Sequence, residues 1–383
     1  MSPAMSRRIR PVLLLTALLV SSGLHASTTP NEVLANALTL GDVLTSDPRD
    51  SVGACRNVAP GDSGPSDRPA SLSPNPDGPT TVEILLFIIA INQIDTETSS
   101  FRFEGYGGLV WCDPRLSFDA EDEGAEFRVY SEDNAWTQFD KIWWPGVVLP
   151  TQLGVPDRTS RVLVVFSDGT VRFSTKFNTR MIAQYDFSDF PLDRHVLQIP
   201  VQTFGWNTDE ITIPATGNRV GFDREFDIPE WKTLGVSTQV EYRDGTQRFV
   251  TEIEIGREVG FYLWKILLPL AIIACVAWST FWLTRDALGQ RQRQSATAIL
   301  SVVAYQFVAA ASLPRVSYLT LMDRIFLWTY VCIGITLITN VVHKRRFRLN
   351  EENGLRSDRA WRVLYPFLCA GGVLVILLFD RLF

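Results

Sequence analysis

The chain has 383 residues, a formal net charge of -6 at pH 7 and a hydrophobic share of 46%. This mildly acidic balance lacks the basic excess with which proteins bind nucleic acid, so we exclude a nucleic-acid partner. A mean hydropathy of +0.07 favours a chain that is part soluble and part membrane-embedded.

The first 26 residues have the organisation of a secretory signal peptide. Three arginines within the first ten residues precede an apolar run, Val12–Val20, and a small-residue cleavage site at residues 24–26. The sequence predicts that the mature chain begins near Ser27, outside the cytoplasm. An uncleaved anchor helix is the alternative, but the apolar run is short for a membrane span.

Residues 27–79 form an additional N-terminal segment that is dense in Pro, Gly, Ser and Asp. Such a composition buries too little apolar surface to offset the entropy of the chain, which predicts a mobile tail. Within it, Asn31–Leu40 has the pattern of one short amphipathic helix, and Cys55 has no neighbouring cysteine in the sequence.

Residues 80–257 read as short β-strands separated by turn signals. The clearest turns are at Asp168-Gly169 and Asp244-Gly245, because Asp-Gly supplies the positive backbone angles of a tight hairpin. Many short strands at this spacing predict a sandwich or a barrel. The glycines at 105, 107 and 108 lie inside a strand pattern with no helix after it, which argues against a nucleotide-binding loop.

Residues 258–383 contain four hydrophobic blocks, at about 261–283, 292–313, 322–342 and 361–379, that predict membrane-spanning helices. Tryptophans lie near the ends of these blocks, as in an aromatic belt. The connections after the first and third blocks are rich in Arg and Lys, whereas the connection between the second and third has only Arg315 and Arg324. The positive-inside rule therefore places the β domain outside the cytoplasm.

The second block carries a polar stripe at helical spacing. The stripe consists of Arg293, Thr297, Leu300, Ala304, Phe307 and Ala311, with steps of three and four residues. Charged and hydroxyl groups in a span normally face protein or water rather than lipid, so this face is predicted to line a path for ions. The alternative is that Arg291 and Arg293 only anchor the cytoplasmic end of an ordinary span.

The segment Tyr185–Asp193, with its Phe190-Pro191-x-Asp193 core, resembles the signature loop of pentameric ligand-gated ion channels, the Cys-loop receptor superfamily. The two cysteines that bracket this loop in animal members are replaced by Ala183 and Leu197. The pore segments FYLWKILLPL, WSTFWL and VVAYQF are similar to those of bacterial members. The resemblance implies an extracellular all-β sandwich of immunoglobulin type, a four-helix transmembrane bundle, and a homopentamer around second helices.

The resemblance also implies an agonist site between neighbouring subunits, lined by aromatic side chains that suit cations. The matching positions are Val148, after Trp143-Trp144-Pro145, then Phe204, Tyr242 and Phe249, and on the opposite face Trp111 and Arg115. Val148 stands where a bacterial relative has an acid, so a small amine or a carboxylate bound by Arg115 remain alternatives. For Trp143 and Trp206 we favour a place in the sandwich core, and we expect Phe204 and Tyr242 to contact the ligand.

In this family a salt bridge between the positions of Asp193 and Arg257 joins the two domains. It lies beside the turn with Asp95 and Glu97, the linker with Pro314 and Arg315, and the signature residues Phe190 and Pro191. Cys55 and Cys112 both fall outside the cytoplasm, in an oxidising space that permits a disulfide.

We therefore expect a homopentameric ligand-gated ion channel of a bacterial inner membrane, in contact with the lipid bilayer and permeant inorganic ions. A ring of Arg293 guanidinium groups favours anions, and the nearest acid, Asp286, is about two helical turns away. A cation-conducting member and a non-conducting membrane-anchored binding module are the alternatives. The sequence has three histidines and no metal cluster, phosphate loop or nucleophile pattern, so we expect neither an enzyme nor a metal or cofactor.

Overall fold

The computed structural model describes residues 47–55, 69–223, 226, 228–283, 288–311, 313, 315–349 and 351–382. The predicted signal peptide, the predicted helix Asn31–Leu40, Asp286 and Pro314 lie outside these residues.

The β domain is a sandwich of two sheets. Its strands are β1 (Thr80–Thr81), β2 (Glu83–Asp95), β3 (Ser100–Cys112), β4 (Phe127–Ser131), β5 (Val147–Val148), β6 (Gln152–Phe166), β7 (Thr170–Ile182), β8 (Arg194–Thr203), β9 (Ile211–Thr212), β10 (Arg219–Phe222), β11 (Trp231–Arg243) and β12 (Thr246–Arg257). One sheet has the order β10-β2-β3-β7-β6-β4 and the other β11-β12-β8-β5, while β1 and β9 pair separately. The predicted sandwich is confirmed.

Two buried clusters fill the space between the sheets. One joins Phe101 and Phe103 of β3 to Leu197 of β8 and Ile253 of β12, and the other joins Trp111 to Trp143 and Phe249. Because side chains alternate along a strand, each sheet gives every second residue to this core.

Both predicted Asp-Gly turns connect antiparallel neighbours. The turn Asp244-Gly245 joins β11 to β12 with backbone φ angles of +52° and +78°. At the other turn, between β6 and β7, Gly169 has a φ of +88°, and an added Cβ would lie 2.7 Å from the carbonyl oxygen of Asp113. A residue with a side chain would therefore be strained at position 169.

Helices occupy the four predicted hydrophobic blocks. The helices are α1 (Ala120–Glu123) and α2 (Asp133–Phe139) in the β domain, followed by α3 (Gly260–Trp282), α4 (Leu288–Ala310), α5 (Leu321–Leu349) and α6 (Glu351–Leu382). Among the described residues, three segments are long and apolar enough to cross a membrane: Gly260–Trp282, Leu321–Val342 and Arg356–Leu378. Helix α4 does not reach this hydropathy because Arg and Gln recur in its first two turns.

The start of α5 is docked on the signature loop. The backbone N–H groups of Leu321 and Met322 donate to the carbonyl oxygens of Ser188 (2.8 Å) and Phe190 (3.2 Å). Thr320 and Asp323 cap the same turn reciprocally, since each accepts a hydrogen bond from the backbone N–H of the other. The first two free N–H groups of this helix end are thus satisfied by the β domain.

Candidate functional site

The signature loop and the end of β12 meet in a buried ion pair where the β domain joins the helices. Arg257 Nε lies 2.9 Å from Asp193 Oδ1, and Arg257 Nη2 lies 3.0 Å from Oδ2. The side chains are 5% and 0% exposed. Such a bidentate pair fixes the relative orientation of its partners as well as stabilising them.

Aromatic rings enclose the guanidinium of Arg257. Its central carbon lies 4.0 Å from the ring centre of Trp231 and 4.8 Å from that of Phe190. Burial raises the pKa of Asp193, but hydrogen bonds from His195 and Arg257 outweigh that effect and hold the pKa below its ordinary value of 3.8. The carboxylate is therefore charged at neutral pH.

His195 is a third member of this cluster. Its Nε2 lies 2.7 Å from Asp193 Oδ2, and its side chain is 2% exposed. We did not predict this contact from the sequence. The available signal was its position two residues after Asp193, which places both side chains on one face of the chain as β8 begins.

The other predicted interface residues lie around the ion pair. Asp95 Oδ1 accepts hydrogen bonds from the backbone N–H groups of Glu97 and Thr98, which shapes the turn after β2. Glu97 then forms an exposed ion pair of 3.2 Å with Arg315. Phe190 is buried against the ring of Tyr262 on α3, and the peptide bond to Pro191 is cis.

Aromatic side chains line a cavity beside β5 and the end of β8, and a further exposed ring lies on β11. Val148 and Phe204 line the same cavity of about 320 Å³, together with Trp136, Trp144 and Trp206. Phe204 and Tyr242 are 70% and 73% exposed, the latter beside the β11–β12 hairpin. These rings are free to contact a ligand or a neighbouring subunit.

Three predicted ligand residues have other surroundings. Trp111 and Phe249 are 0% and 2% exposed, because their positions point into the space between the sheets. Arg115 forms a bidentate pair with Asp113 and also donates to backbone carbonyl oxygens of residues 69 and 72. In this subunit, contacts within the β domain therefore hold these three side chains.

Helix α4 has two different faces. All residues of the predicted stripe are exposed: Arg293, Thr297, Leu300, Ala304, Phe307 and Ala311, the last just beyond the helix. The opposite face packs on the other helices and consists of Arg291, Ser295, Ala298, Val302 and Ala309, each at most 5% exposed. Part of that contact is polar, since Thr336 and Asn340 of α5 both donate to Ser295 Oγ at 3.1 Å.

The two arginines at the start of α4 also differ, because one is buried and the other is exposed. Arg291 forms a buried bidentate pair with Asp358 of α6 at 3.1 and 2.9 Å and also donates to the carbonyl oxygen of Leu283. Arg293 is exposed on the stripe. Of these two arginines, only Arg293 is therefore available to the space in front of the exposed stripe.

Within the described residues, no group of three or more His, Cys, Asp or Glu side chains is placed to hold a metal ion. The arrangement joins an aromatic surface on the β domain, a buried ion pair at the domain junction and a partly polar helix face.

Comparison with known proteins assigns the family. The model of the neurotransmitter-gated ion-channel ligand binding domain matches residues 66–262, and that of the transmembrane region matches residues 266–353. The chain is 23% identical over 321 residues to a proton-gated ion channel of Gloeobacter violaceus, covering 81% of this chain and 87% of that protein. It is 26% identical over 268 residues to the glycine receptor subunit beta of Rattus norvegicus and of Homo sapiens, covering 67% of this chain and 52% of each.

The chain thus spans about half the length of the glycine receptor subunits that it matches. Members of the matching family are pentameric ligand-gated ion channels with an extracellular ligand-binding domain and transmembrane helices, and they are not enzymes. Because the ligand-binding model covers just over half of the chain and the transmembrane model continues it, the chain belongs to the neurotransmitter-gated ion-channel family, the Cys-loop receptor superfamily.

Proposed function

We propose that five copies of this chain form a ligand-gated channel in a bacterial inner membrane and that the exposed stripe of α4 lines its pore. The observation that carries the proposal is the division of α4 into a buried face and an exposed face. Five such stripes around one axis would contact water and ions rather than lipid.

The proposed channel prefers anions. Arg293 would place five guanidinium groups near the inner end of the pore, and a guanidinium is effectively always charged. Rings of basic side chains favour anions in pores. Arg291 would not add to this ring because Asp358 neutralises it within the helix bundle.

The resting pore would be closed by apolar side chains on the same face. Leu300 and Phe307 are 69% and 78% exposed in one subunit. Rings of five such side chains would exclude water from a narrow pore and so block ions without a physical plug. Replacing Leu300 by Ser removes one of these rings and should allow conduction in the absence of agonist.

The agonist site is proposed at the aromatic surface of Val148, Phe204 and Tyr242. Aromatic rings attract cations, which favours a small amine. A carboxylate is the weaker candidate because Arg115 is already paired with Asp113 and two carbonyl oxygens. The name of the Gloeobacter relative adds the proton as a candidate agonist.

Two alternatives lead to different measurements. A cation-conducting channel would have the same architecture, but Arg293 would be turned into the contact between subunits. A non-conducting binding module would keep the aromatic surface and pass no current. The exposed polar stripe of α4 favours conduction over the second alternative.

The test uses purified Leu300→Ser protein in planar bilayers with asymmetric KCl. We expect a reversal potential near the chloride equilibrium potential, and a shift toward the potassium potential in the double variant with Arg293→Gln. Gln292→Ala is the matched control, because this neighbour lies beside the stripe and carries no charge. A reversal potential near the potassium equilibrium potential in the Leu300→Ser protein, which keeps Arg293, would contradict the anion preference.

A further inference from the structure

We infer that His195 is a positioning residue for the Asp193–Arg257 pair and that its protonation loosens this pair, which makes opening sensitive to pH. The inference deepens the proposed function, since it rests on the ion pair acting in gating.

The geometry makes His195 and Arg257 share one acceptor. Asp193 Oδ2 lies 2.7 Å from His195 Nε2 and 3.0 Å from Arg257 Nη2, while Oδ1 takes Arg257 Nε alone. A neutral imidazole that donates to Oδ2 orients the carboxylate toward the guanidinium. An imidazolium would instead compete with the guanidinium for the same oxygen.

The surroundings of His195 leave little room for water to screen this competition. Its ring makes edge contacts with Tyr185, Phe187 and Trp231, at centroid distances of 5.1, 5.2 and 5.3 Å. The same indole ring of Trp231 lies over the guanidinium of Arg257. Interactions between charges are stronger in such a poorly solvated site than at an exposed surface.

The charged and titratable groups near His195 are Asp193 and Tyr185, which contact its ring, and Asp186 of the signature loop. Arg257 shares Asp193 with it, and Tyr262 and Glu230 lie on the far side of that arginine. A hydrogen bond from the side chain of Ser188 is the main cause that lowers the pKa of Asp186. Among the described residues, Asp193 is the carboxylate that lies within hydrogen-bond distance of both Arg257 and His195.

Histidine is the side chain whose charge ordinarily changes between pH 5 and 8. The sequence has only His25, His195 and His343, and His25 lies in the predicted signal peptide. The contribution of histidines to a response between pH 7.5 and 5.5 can therefore be divided between His195 and His343 by two substitutions.

The first test measures open probability in the Leu300→Ser background as pH falls from 7.5 to 5.5. We expect a decrease of about fivefold or more, the lower range of coupling between sites, and the same decrease with His343→Gln. His195→Gln should lose the pH response, because glutamine still donates to Asp193 but does not titrate. His195→Phe should reduce the current at every pH, because it keeps the ring and removes the donor.

Each part of the inference has an outcome that overturns it. An unchanged pH response in His195→Gln shows that the proton acts elsewhere, and a normal current in His195→Phe shows that His195 does not position the pair. Absence of current from all variants would contradict the proposed function instead. In that case the inference is tested by NMR, which follows the titration of His195 in histidine-labelled protein. Arg257→Gln should move the midpoint of this titration upward. An unmoved midpoint refutes the competition between His195 and Arg257 for Asp193.

Discussion

At the residue scale, the junction of the two domains depends on one buried carboxylate. Asp193 binds Arg257 through both oxygens and His195 through one, so it joins the signature loop to the last strand before α3. Removing one partner of a buried ion pair leaves the other charge without compensation, which costs roughly 3–5 kcal/mol. The exposed pair Glu97–Arg315 on the same interface has no such penalty.

Arg257→Ala should abolish opening while the pentamer still assembles. We expect the free energy of unfolding to fall by roughly 3–5 kcal/mol, and currents in the Leu300→Ser background to disappear. Arg315→Ala is the matched control, with a stability change below about 1 kcal/mol because its partner is exposed. Normal currents from Arg257→Ala would refute a role of the pair in gating.

The low pKa of Asp193 predicts how stability depends on acid. Since the folded pKa lies below 3.8, the carboxylate stabilises the fold fully above that ordinary value, and this stabilisation is lost as pH falls through the lower folded pKa. Thermal unfolding between pH 5 and 2.5 should show this acid-dependent loss. Asp193→Asn should flatten it, and an unchanged acid dependence in that variant would contradict the assignment.

At the element scale, α4 shows which features a sequence pattern can predict and which it cannot. Spacings of three and four residues predicted which side chains share the exposed face, because helical periodicity alone determines that grouping. The pattern placed Arg293 and not Arg291 on this face, but it could not show that Arg291 is buried in an ion pair. That ion pair depends on Asp358, which lies 67 residues later on another helix.

The other predictions also fall into two groups, those that depend on local sequence and those that depend on distant contacts. The Asp-Gly hairpins follow from local backbone preference and are confirmed. The burial of Trp111 and Phe249 depends on which side chains the second sheet presents, which no local signal contains. The pairing of Arg115 with Asp113 was within reach, because an aspartate followed by proline initiates a short turn.

The two arginines of α4 should respond differently to the same substitution. Arg291→Gln should lower the free energy of unfolding by roughly 3–5 kcal/mol, because it leaves Asp358 buried without its partner. Arg293→Gln should change that free energy by less than about 0.5 kcal/mol, as is usual for exposed positions. Chemical unfolding of both proteins checks this, and equal costs would contradict the two-faced helix.

At the scale of the whole molecule, the additional N-terminal segment is fastened to the β domain. Cys55 forms a disulfide with Cys112 at the end of β3. The backbone N–H of Val52 donates to the buried carboxylate of Glu83 at 2.7 Å. The part of this segment around Val52 and Cys55 therefore belongs to the folded domain, whereas the composition of the segment predicts a mobile tail.

Removing this disulfide should reduce stability without closing the pore. The bond links positions 57 residues apart, and closing a loop of this size stabilises a fold by roughly 2–4 kcal/mol. Cys55→Ala with Cys112→Ala should lower the unfolding temperature of the β domain and leave currents in the Leu300→Ser background intact. An unchanged unfolding temperature would show that the segment contributes nothing to the domain.

The central claim is that the exposed face of α4 lines a conducting pore, and cysteine accessibility tests it most directly. Thr297→Cys in the Leu300→Ser background should pass unitary currents that a charged thiol reagent reduces, whereas Ala298→Cys on the buried face and the background protein should not respond. Equal modification of both positions, or no current from any of the proteins, would contradict the account.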